Sequence, residues 1–384
     1  VLPLDGVLVV GLEQAVSAPH CTRQLADLGA RVIKIEGADG DFARHYDDAA
    51  AGTSAHFAWA NRGKQSLVVD LKSPAGRDAM ERLLARADVF VQNLAPGAAE
   101  RLGLDAAAAS ARHPRLVAVD ISGYGSGGPR EQGRAYDLLV QAEAGSCAVT
   151  GTAGHPAKPG IPLADVGTGM VAANAVLAAL FARSRTGQGT AISVAMFDVV
   201  TDWMSWALHQ ARATGRDPQP LGVSSPMVSP YGAYRTGDDQ VIVIGTTNDR
   251  EWRRLALDVL GRPDLAVDPR FDGNADRVAN RAELDAAIGE WAAAHTLAEA
   301  SAAAQAAGLG WARLNGPLDV LAHPQLAQRG RWVDTDGVSG RFASLRPAAD
   351  GEGWDWAPGK VPRVGEHTDE LLAELGLPNH GISP

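Results

Sequence analysis

Only two cysteines, Cys21 and Cys147, stand among 384 residues. They supply neither a disulfide framework nor a metal cluster, and each reads as a small buried apolar residue. Basic residues are short as well: 35 Lys and Arg face 45 Asp and Glu, a formal charge of −10. That balance argues against nucleic acid, whose affinity comes mainly from neutralised phosphates. It argues equally against an anionic membrane surface. Any anionic ligand needs a few placed Arg, Lys or backbone N–H groups. No run of about 18 apolar residues occurs, so no membrane span is expected. The start, Val1-Leu2-Pro3-Leu4-Asp5-Gly6, lacks a basic stretch followed by an apolar one, and a cytoplasmic protein is the expectation. No G-x-S-x-G elbow occurs. The ten histidines show neither H-x-x-x-H nor H-E-x-x-H spacing, so no metal site is expected.

What is present is an ordinary globular composition, 46% apolar and 21% charged, with length for two to three domains. Glycine is in excess: 43 of 384 residues, about 11% against about 7% on average. Such an excess points to tight turns or to backbone that approaches something closely.

The first third alternates short β-rich runs with helical runs. Strands are expected at 7–12, 31–36, 65–71, 88–94 and 116–122, with helices at 19–28 and 73–87. Ser73-Pro74 is a good helix start, a capping hydroxyl followed by proline at the first helical position. This alternation predicts an α/β fold with a parallel sheet covered on both faces. A long helix is expected at 166–184 and a strand at 191–196. After about residue 200 the texture changes, and Ser229-Pro230-Tyr231-Gly232 reads as turn-like. A strand at 240–245 and helices at 251–260, 280–295 and 297–307 suggest a smaller α+β domain. From Val333 the chain reads as irregular until a short helix at 368–375.

Three segments carry candidate chemistry. The opening strand–helix–strand ends at Glu36, where a dinucleotide fold places a ribose-binding acid. Its turn, Gly11 to Pro19, has one glycine where that fingerprint needs three, and Glu13 stands where a pyrophosphate would sit. A G-x-G-x-x-G does occur at Gly123 to Gly128, followed by a polar turn, so it reads better as a ligand-facing loop than as a nicotinamide site. Asn93 to Gly103 follows a buried strand and places free N–H groups at the sheet's usual ligand face, with Arg101 one turn into the next helix. In Pro162 to Met170, Asp165 is the one acidic residue. It reads either as a helix N-cap or as a carboxylate nucleophile, with Gly167 and Gly169 clearing room for a bulky substrate. His367 reads as structural.

The ordered set of these stations resembles the CaiB/BaiF-like family III CoA-transferases, the group that includes formyl-CoA transferase and carnitine CoA-transferase. The stations run from Leu4-Asp5-Gly6 through Lys34-Ile35-Glu36, Asn61-Arg62-Gly63-Lys64, Asp70-Leu71-Lys72, Asn93 to Gly103, Gly123 to Pro129, Tyr136-Asp137 and Arg185 to Gly189. They end at His323-Pro324-Gln325 and Gly365 to Thr368. By this resemblance Asp165 is the nucleophile. It would form an aspartyl anhydride and then an aspartyl-CoA thioester while CoA moves from an acyl-CoA thioester to a carboxylic acid. CoA contacts carried over by position are Ala15, Val16, Ser17, Lys72, Asn93, Leu94, Arg101, Arg134 and Tyr136. CoA and acyl-CoA are substrates, and no tightly bound cofactor is implied.

Departures from formyl-CoA transferase matter. An arginine is replaced by Gly37, for which Arg44 is the expected substitute. A glutamine is replaced by Val16, and a tetraglycine loop is missing near Gly222 to Gly232. Formate and oxalate are therefore not the expected acids. A C4 or C5 dicarboxylate such as succinate, mesaconate or a malate-like acid is. An α-methylacyl-CoA racemase of the same fold is the alternative enzyme, but its histidine is replaced by Tyr136 before Asp137. A non-catalytic CoA-binding relative and a nicotinamide oxidoreductase are the other readings. The resemblance implies a Rossmann-like large domain (1–200 plus 325–384), a small α+β domain (225–315), linkers at 201–224 and 316–324, and an interlocked homodimer.

Overall fold

Alternate residues of a buried strand face opposite sides, and the apolar runs of the first third are built for this. The computed structural model describes residues 1–378 and residue 382; residues 379–381, 383 and 384, the end of the expected 325–384 segment, lie outside the described residues. Strands β1 (Leu8–Leu12), β2 (Arg31–Glu36), β3 (Lys64–Val68), β4 (Val89–Gln92), β5 (Val117–Ser122) and β6 (Thr190–Ala195) form one parallel sheet. Their order is β3-β2-β1-β4-β5-β6. The order reverses between β1 and β4, which opens a crevice at the carboxyl ends of those two strands.

Val10, Ile33 and Phe90 face one core, shared with Met80, Leu83 and Leu84 of the second helix below and with Leu371 and Leu372 of the last helix. Val9, Val32 and Val89 face the other, shared with Leu25, Ala172 and Val176. The helices that matter for the site are α1 (Ser17–Asp27), α2 (Pro74–Leu84), α3 (Asp137–Glu143) and α4 (Leu163–Thr186). Ser73 caps α2 as expected, accepting the Gly76 N–H at 2.9 Å.

Helix α4 (24 residues) runs longer than the expected 166–184. Its 24 residues include an 18-residue window of mean hydropathy 1.6, long and apolar enough to cross a membrane. Much of its apolarity comes from alanine, and Ala172, Ala173 and Val176 pack in the second core, while Met170, Val171 and Phe181 remain exposed.

Strand β3 is an edge of the sheet, and the C-terminal segment covers it. The Ser66 N–H donates to His367 Nδ1 at 3.2 Å, the His367 N–H to Ser66 O at 3.1 Å, and the Val68 N–H to Thr368 Oγ1 at 3.1 Å. His367 thus has the structural role expected of it. A hairpin, Trp332–Asp336 with Arg341–Leu345, stands where the sequence reads as irregular. Its Asp334, Thr335 and Asp336 hide the strand pattern.

The chain divides into two compact units. One holds Val1–Ser146, Pro159–Ser205 and the chain from Leu326 onward; the other holds Cys147–Lys158 and Trp206–Gln325. The second unit carries a three-stranded antiparallel sheet, β7 (Tyr231–Arg235), β8 (Val241–Gly245) and β9 (Gly310–Arg313), with β8 central. Ile242, Ile244, Trp252, Leu284 and Ile288 form its core. Tyr231 and Gly232, read as turn-like, pair with Gly245 and Ile244 instead. Residues 151–156, which the sequence places in the first segment, form a two-stranded ribbon of this unit and bridge to Leu221.

Candidate active site

Asp165 is the third residue of α4, and it does not cap that helix. Pro162 precedes the helix and has no capping side chain. The cap comes from α3: Asp137 Oδ1 accepts the Ala164 N–H at 2.9 Å and the Asp165 N–H at 3.3 Å. The other Asp137 oxygen accepts Gln141 Nε2 at 2.7 Å. With the cap supplied from elsewhere, the Asp165 side chain is left to turn toward α1. There the hydroxyl and the backbone N–H of Ser17 lie near enough to favour its ionised form. Burial and then the nearby Asp137 charge push the Asp165 carboxyl up to about 7, against the pull of the Ser17 donors.

The closeness of α1 and α4 depends on glycine. A Cβ on Gly169 would lie 2.6 Å from Ser17 O and 3.0 Å from His20 Cβ. One on Gly167 would lie 2.3 Å from the Trp203 ring. These two glycines therefore admit neighbouring protein atoms, not substrate, which corrects the sequence reading. In the Gly123 to Gly128 loop, Gly123 abuts Ala135, whereas Gly127 and Gly128 face open space.

Ser17 opens α1 directly after the β1 turn. Ala15 in that turn has φ +60°, a conformation uncommon for any residue but glycine. Its N–H donates to Asp41 Oδ1 at 3.2 Å. Asn93, beyond β4, grips the same turn: its Oδ1 accepts the Gln14 N–H at 2.9 Å, and its Nδ2 donates to Gln14 O at 2.9 Å and to Ser17 Oγ at 3.3 Å. The loops after β1 and β4 thus meet where the strand order reverses.

Below the turn lies a dry set of charges. Lys64 Nζ is 2.6 Å from Glu13 Oε1 and Lys34 Nζ is 2.9 Å from Asp41 Oδ2, all four side chains buried. Lys34 also donates to Glu13 O at 3.0 Å. Burial opposes ionisation of Glu13, but Lys64 and Lys34 hold its carboxyl below the usual range. Glu36 is likewise buried, paired with Arg44 at 2.6 Å and accepting from Ser66 at 2.5 Å. It offers nothing to a ribose. Arg44 corrects a further expectation. It is buried against Glu36, and its Nη1 donates to Pro362 O at 2.8 Å, so it does not replace an arginine at Gly37.

Of the other expected contacts, Val16 is buried, Ala15 and Asn93 are half-buried, and the half-buried Leu94 donates its N–H to Gln92 Oε1 at 2.8 Å. Lys72, Arg101 and Arg134 are exposed, with Arg101 lying over Gly97. All follow the carboxyl ends of strands in the sheet. Tyr136 is 60% exposed, and burial, then the charges of Asp41 and Asp165, push the hydroxyl of the 53%-exposed Tyr46 up. Sequence reading singled out neither Tyr46 nor Asp41, since no motif spans their separation from Asp165. Among the described residues no group of three or more His, Cys, Asp and Glu side chains could hold a metal ion. The arrangement is a sheltered carboxylate with two donors near it, and the exposed cations and the glycine loop follow the carboxyl ends of strands in the same sheet. Such a group suits nucleophilic attack on an activated carbonyl.

Comparison with known proteins identifies the family. Residues 4–368 match CoA-transferase family III. The acetyl-CoA:oxalate CoA-transferase of Acetobacter aceti is 38% identical over 77% of each chain. The succinate–glutarate CoA-transferase of Agrobacterium fabrum is 32% identical over 97% of this chain and 96% of its own. A CaiB/BaiF family protein from Brucella suis, of known crystal structure, superposes with a TM-score of 0.85 at 33% identity, covering 97% of this chain and 99% of that one. The chain is an enzyme that belongs to CoA-transferase family III.

Proposed function

We propose that the protein moves CoA from an acyl-CoA to a dicarboxylic acid, with Asp165 as the covalent nucleophile. One observation carries the reading: Asp137 caps α4, so the Asp165 carboxylate is free of that duty and lies beside the Ser17 hydroxyl and N–H. Asp165 attacks the donor thioester carbonyl, forming a mixed anhydride and releasing CoA thiolate. The thiolate attacks the aspartyl carbonyl, giving an aspartyl-CoA thioester and the donor acid. The acceptor carboxylate attacks that thioester, forming a second anhydride and the thiolate again. The thiolate takes the new acyl group, and Asp165 is regenerated. Ser17 supports this role by favouring the ionised form, and burial limits hydrolysis of the anhydride. Lys72, Arg101 and Arg134 offer the local positive charge that a −10 chain needs for an anionic cosubstrate.

Dicarboxylates are the favoured acids, because both curated relatives compared above are named for them. The oxalate enzyme restores oxalate to the candidates, despite Val16 and the missing tetraglycine loop. Residence in the cytoplasm and a homodimer belong to the same reading. Exposed Leu138, Leu139 and Phe181, and separately Leu318 and Leu321, support a second copy covering apolar surface; light scattering checks the mass. The decisive experiment is a donor–acceptor matrix with succinyl-CoA and acetyl-CoA against oxalate, succinate, glutarate and mesaconate, run with wild type and Asp165→Ala. Loss of exchange in the variant, and a hydroxylamine-trapped adduct on Asp165 in the wild type, are expected. Turnover retained by Asp165→Ala overturns the assignment.

A further inference from the structure

The turn that presents Ser17 is gripped from two independent sides. On one side, Asp41 divides its carboxylate: Oδ1 accepts the Ala15 N–H at 3.2 Å and the Ala43 N–H at 3.0 Å, and Oδ2 accepts Lys34 Nζ at 2.9 Å. Lys34 in turn holds Glu13 O at 3.0 Å. The carbonyl of Glu13 and the N–H of Ala15 are thus tied, across Gln14, to one buried ion pair. On the other side, the Asn93 amide brackets Gln14 through both its N–H and its carbonyl, and donates to Ser17 Oγ. A hydroxyl that accepts from Asn93 has its own proton left for Asp165. The left-handed Ala15, at φ +60°, is the kind of conformation that persists only where its surroundings over-determine it.

We propose that Asp41 and Asn93 are positioning residues that clamp the Gln14–Ser17 backbone from its two sides and so keep both Ser17 donors turned toward the Asp165 carboxylate. This rests on the reading of Asp165 as the nucleophile. The clamp acts on geometry, so its loss lowers kcat more than it raises KM. It also removes donors that favour the ionised carboxylate, so the acid limb of the rate profile moves to higher pH.

The test uses the fastest donor–acceptor pair from the matrix, with kcat, KM, full pH profiles and thermal midpoints for Asn93→Ala, Asp41→Asn, Ser17→Ala and the Asn93→Ala/Ser17→Ala pair. Asn93→Ala and Asp41→Asn are expected to lose about tenfold to a hundredfold in kcat, with KM for the acyl-CoA changed less than about threefold and the acid limb shifted upward. The double variant is expected to be slower than Ser17→Ala alone, but by a smaller factor than Asn93→Ala slows the wild type, because the hydroxyl is lost only once while the backbone N–H still depends on the clamp. If Asp41→Asn, made in the dry charge set, does not fold, the half-buried Asn93 decides. An unmoved acid limb with only a lower melting point overturns the clamp. So does a raised KM at unchanged kcat, which would mark Asn93 as a direct CoA contact. Asp165→Ala run alongside separates the failures. Turnover retained there defeats the nucleophile reading, whereas turnover lost there with an unmoved limb in the clamp variants defeats the clamp alone.

Discussion

Asp137 Oδ1 lies 2.9 Å from the Ala164 N and 3.3 Å from the Asp165 N, so one carboxylate caps the helix from whose first turn the other projects. The same contact places two negative charges close together, and Asp137 is second to burial among the two causes that raise the Asp165 carboxyl. Asp137→Asn separates these effects. An Asn side-chain oxygen still caps α4, while the charge is gone. The buried Gln141 Oε1 lacks a partner, so that amide can turn over and accept from the new Asn amide group. The acid limb of activity is expected to move to lower pH in Asp137→Asn. Asp137→Ala instead loses the cap, about 1 kcal/mol of stability. A limb that stays in place in Asp137→Asn refutes the charge argument.

The raised Asp165 carboxyl has a cost that varies with pH. An ordinary aspartate ionises near 3.8, whereas Asp165 in the folded chain does so at about 7. Between those values the unfolded chain has lost a proton that the folded chain keeps. Stability linked to Asp165 is therefore full below about pH 3.8 and is lost as pH rises through about 7. Asp165→Asn is expected to melt higher than wild type at pH 8, with the gain shrinking toward pH 4. Differential scanning fluorimetry across that range measures it. An equal shift at every pH would show that packing, not ionisation, is responsible.

Gly167 and Gly169 predict different outcomes for the same substitution. In Gly169→Ala the methyl meets backbone, Ser17 O at 2.6 Å and Cys21 N at 3.1 Å. Neither can yield without moving α1, at a cost of roughly 1–3 kcal/mol, and Ser17 leaves Asp165. In Gly167→Ala it meets the 42%-exposed Trp203 ring, which has room to swing. Circular-dichroism melts and kcat should rank Gly169→Ala well below Gly167→Ala, and only the latter should change tryptophan emission strongly. Equal losses in both would count against the packing account.

The cations divide between those buried in pairs and those left exposed. Arg44→Met strands Glu36 in the interior and is expected to destabilise by about 3–5 kcal/mol, without a selective rise in the KM for acyl-CoA. Arg101→Ala and Lys72→Ala should show the converse: unchanged melting points, a several-fold higher KM, and a weaker dependence of KM on salt. A selective KM effect in folded Arg44→Met would return that residue to the CoA site.

Much of the large sheet was legible, because parallel strands buried on both faces read as nearly continuous apolar runs. All six strands lie where those runs predict, within about three residues at either end. The hairpin 332–345 was not, since its alternating Asp and Thr residues resemble a loop. Asp165 was visible as a candidate, but local sequence left its role open. The residue that settles the helix cap is Asp137, 27 and 28 positions away from its two partners. Arg44 and the glycines beside Asp165 misled for a related reason. An arginine reads as free and a glycine as roomy until the partners from distant segments are in place.

The tail over β3 carries a consequence for proteolysis and handling. His367 and Thr368 occupy the outward N–H groups of Ser66 and Val68 with side-chain acceptors, not with a seventh strand. They seal the sheet against further strand addition without extending it. A chain cleaved just before Gly365 would keep every strand yet expose a row of unpaired amides, a template for another polypeptide. Such a clipped product is expected to recruit its own kind edge to edge, so loss of about 20 C-terminal residues would appear first as turbidity and only later as loss of catalysis.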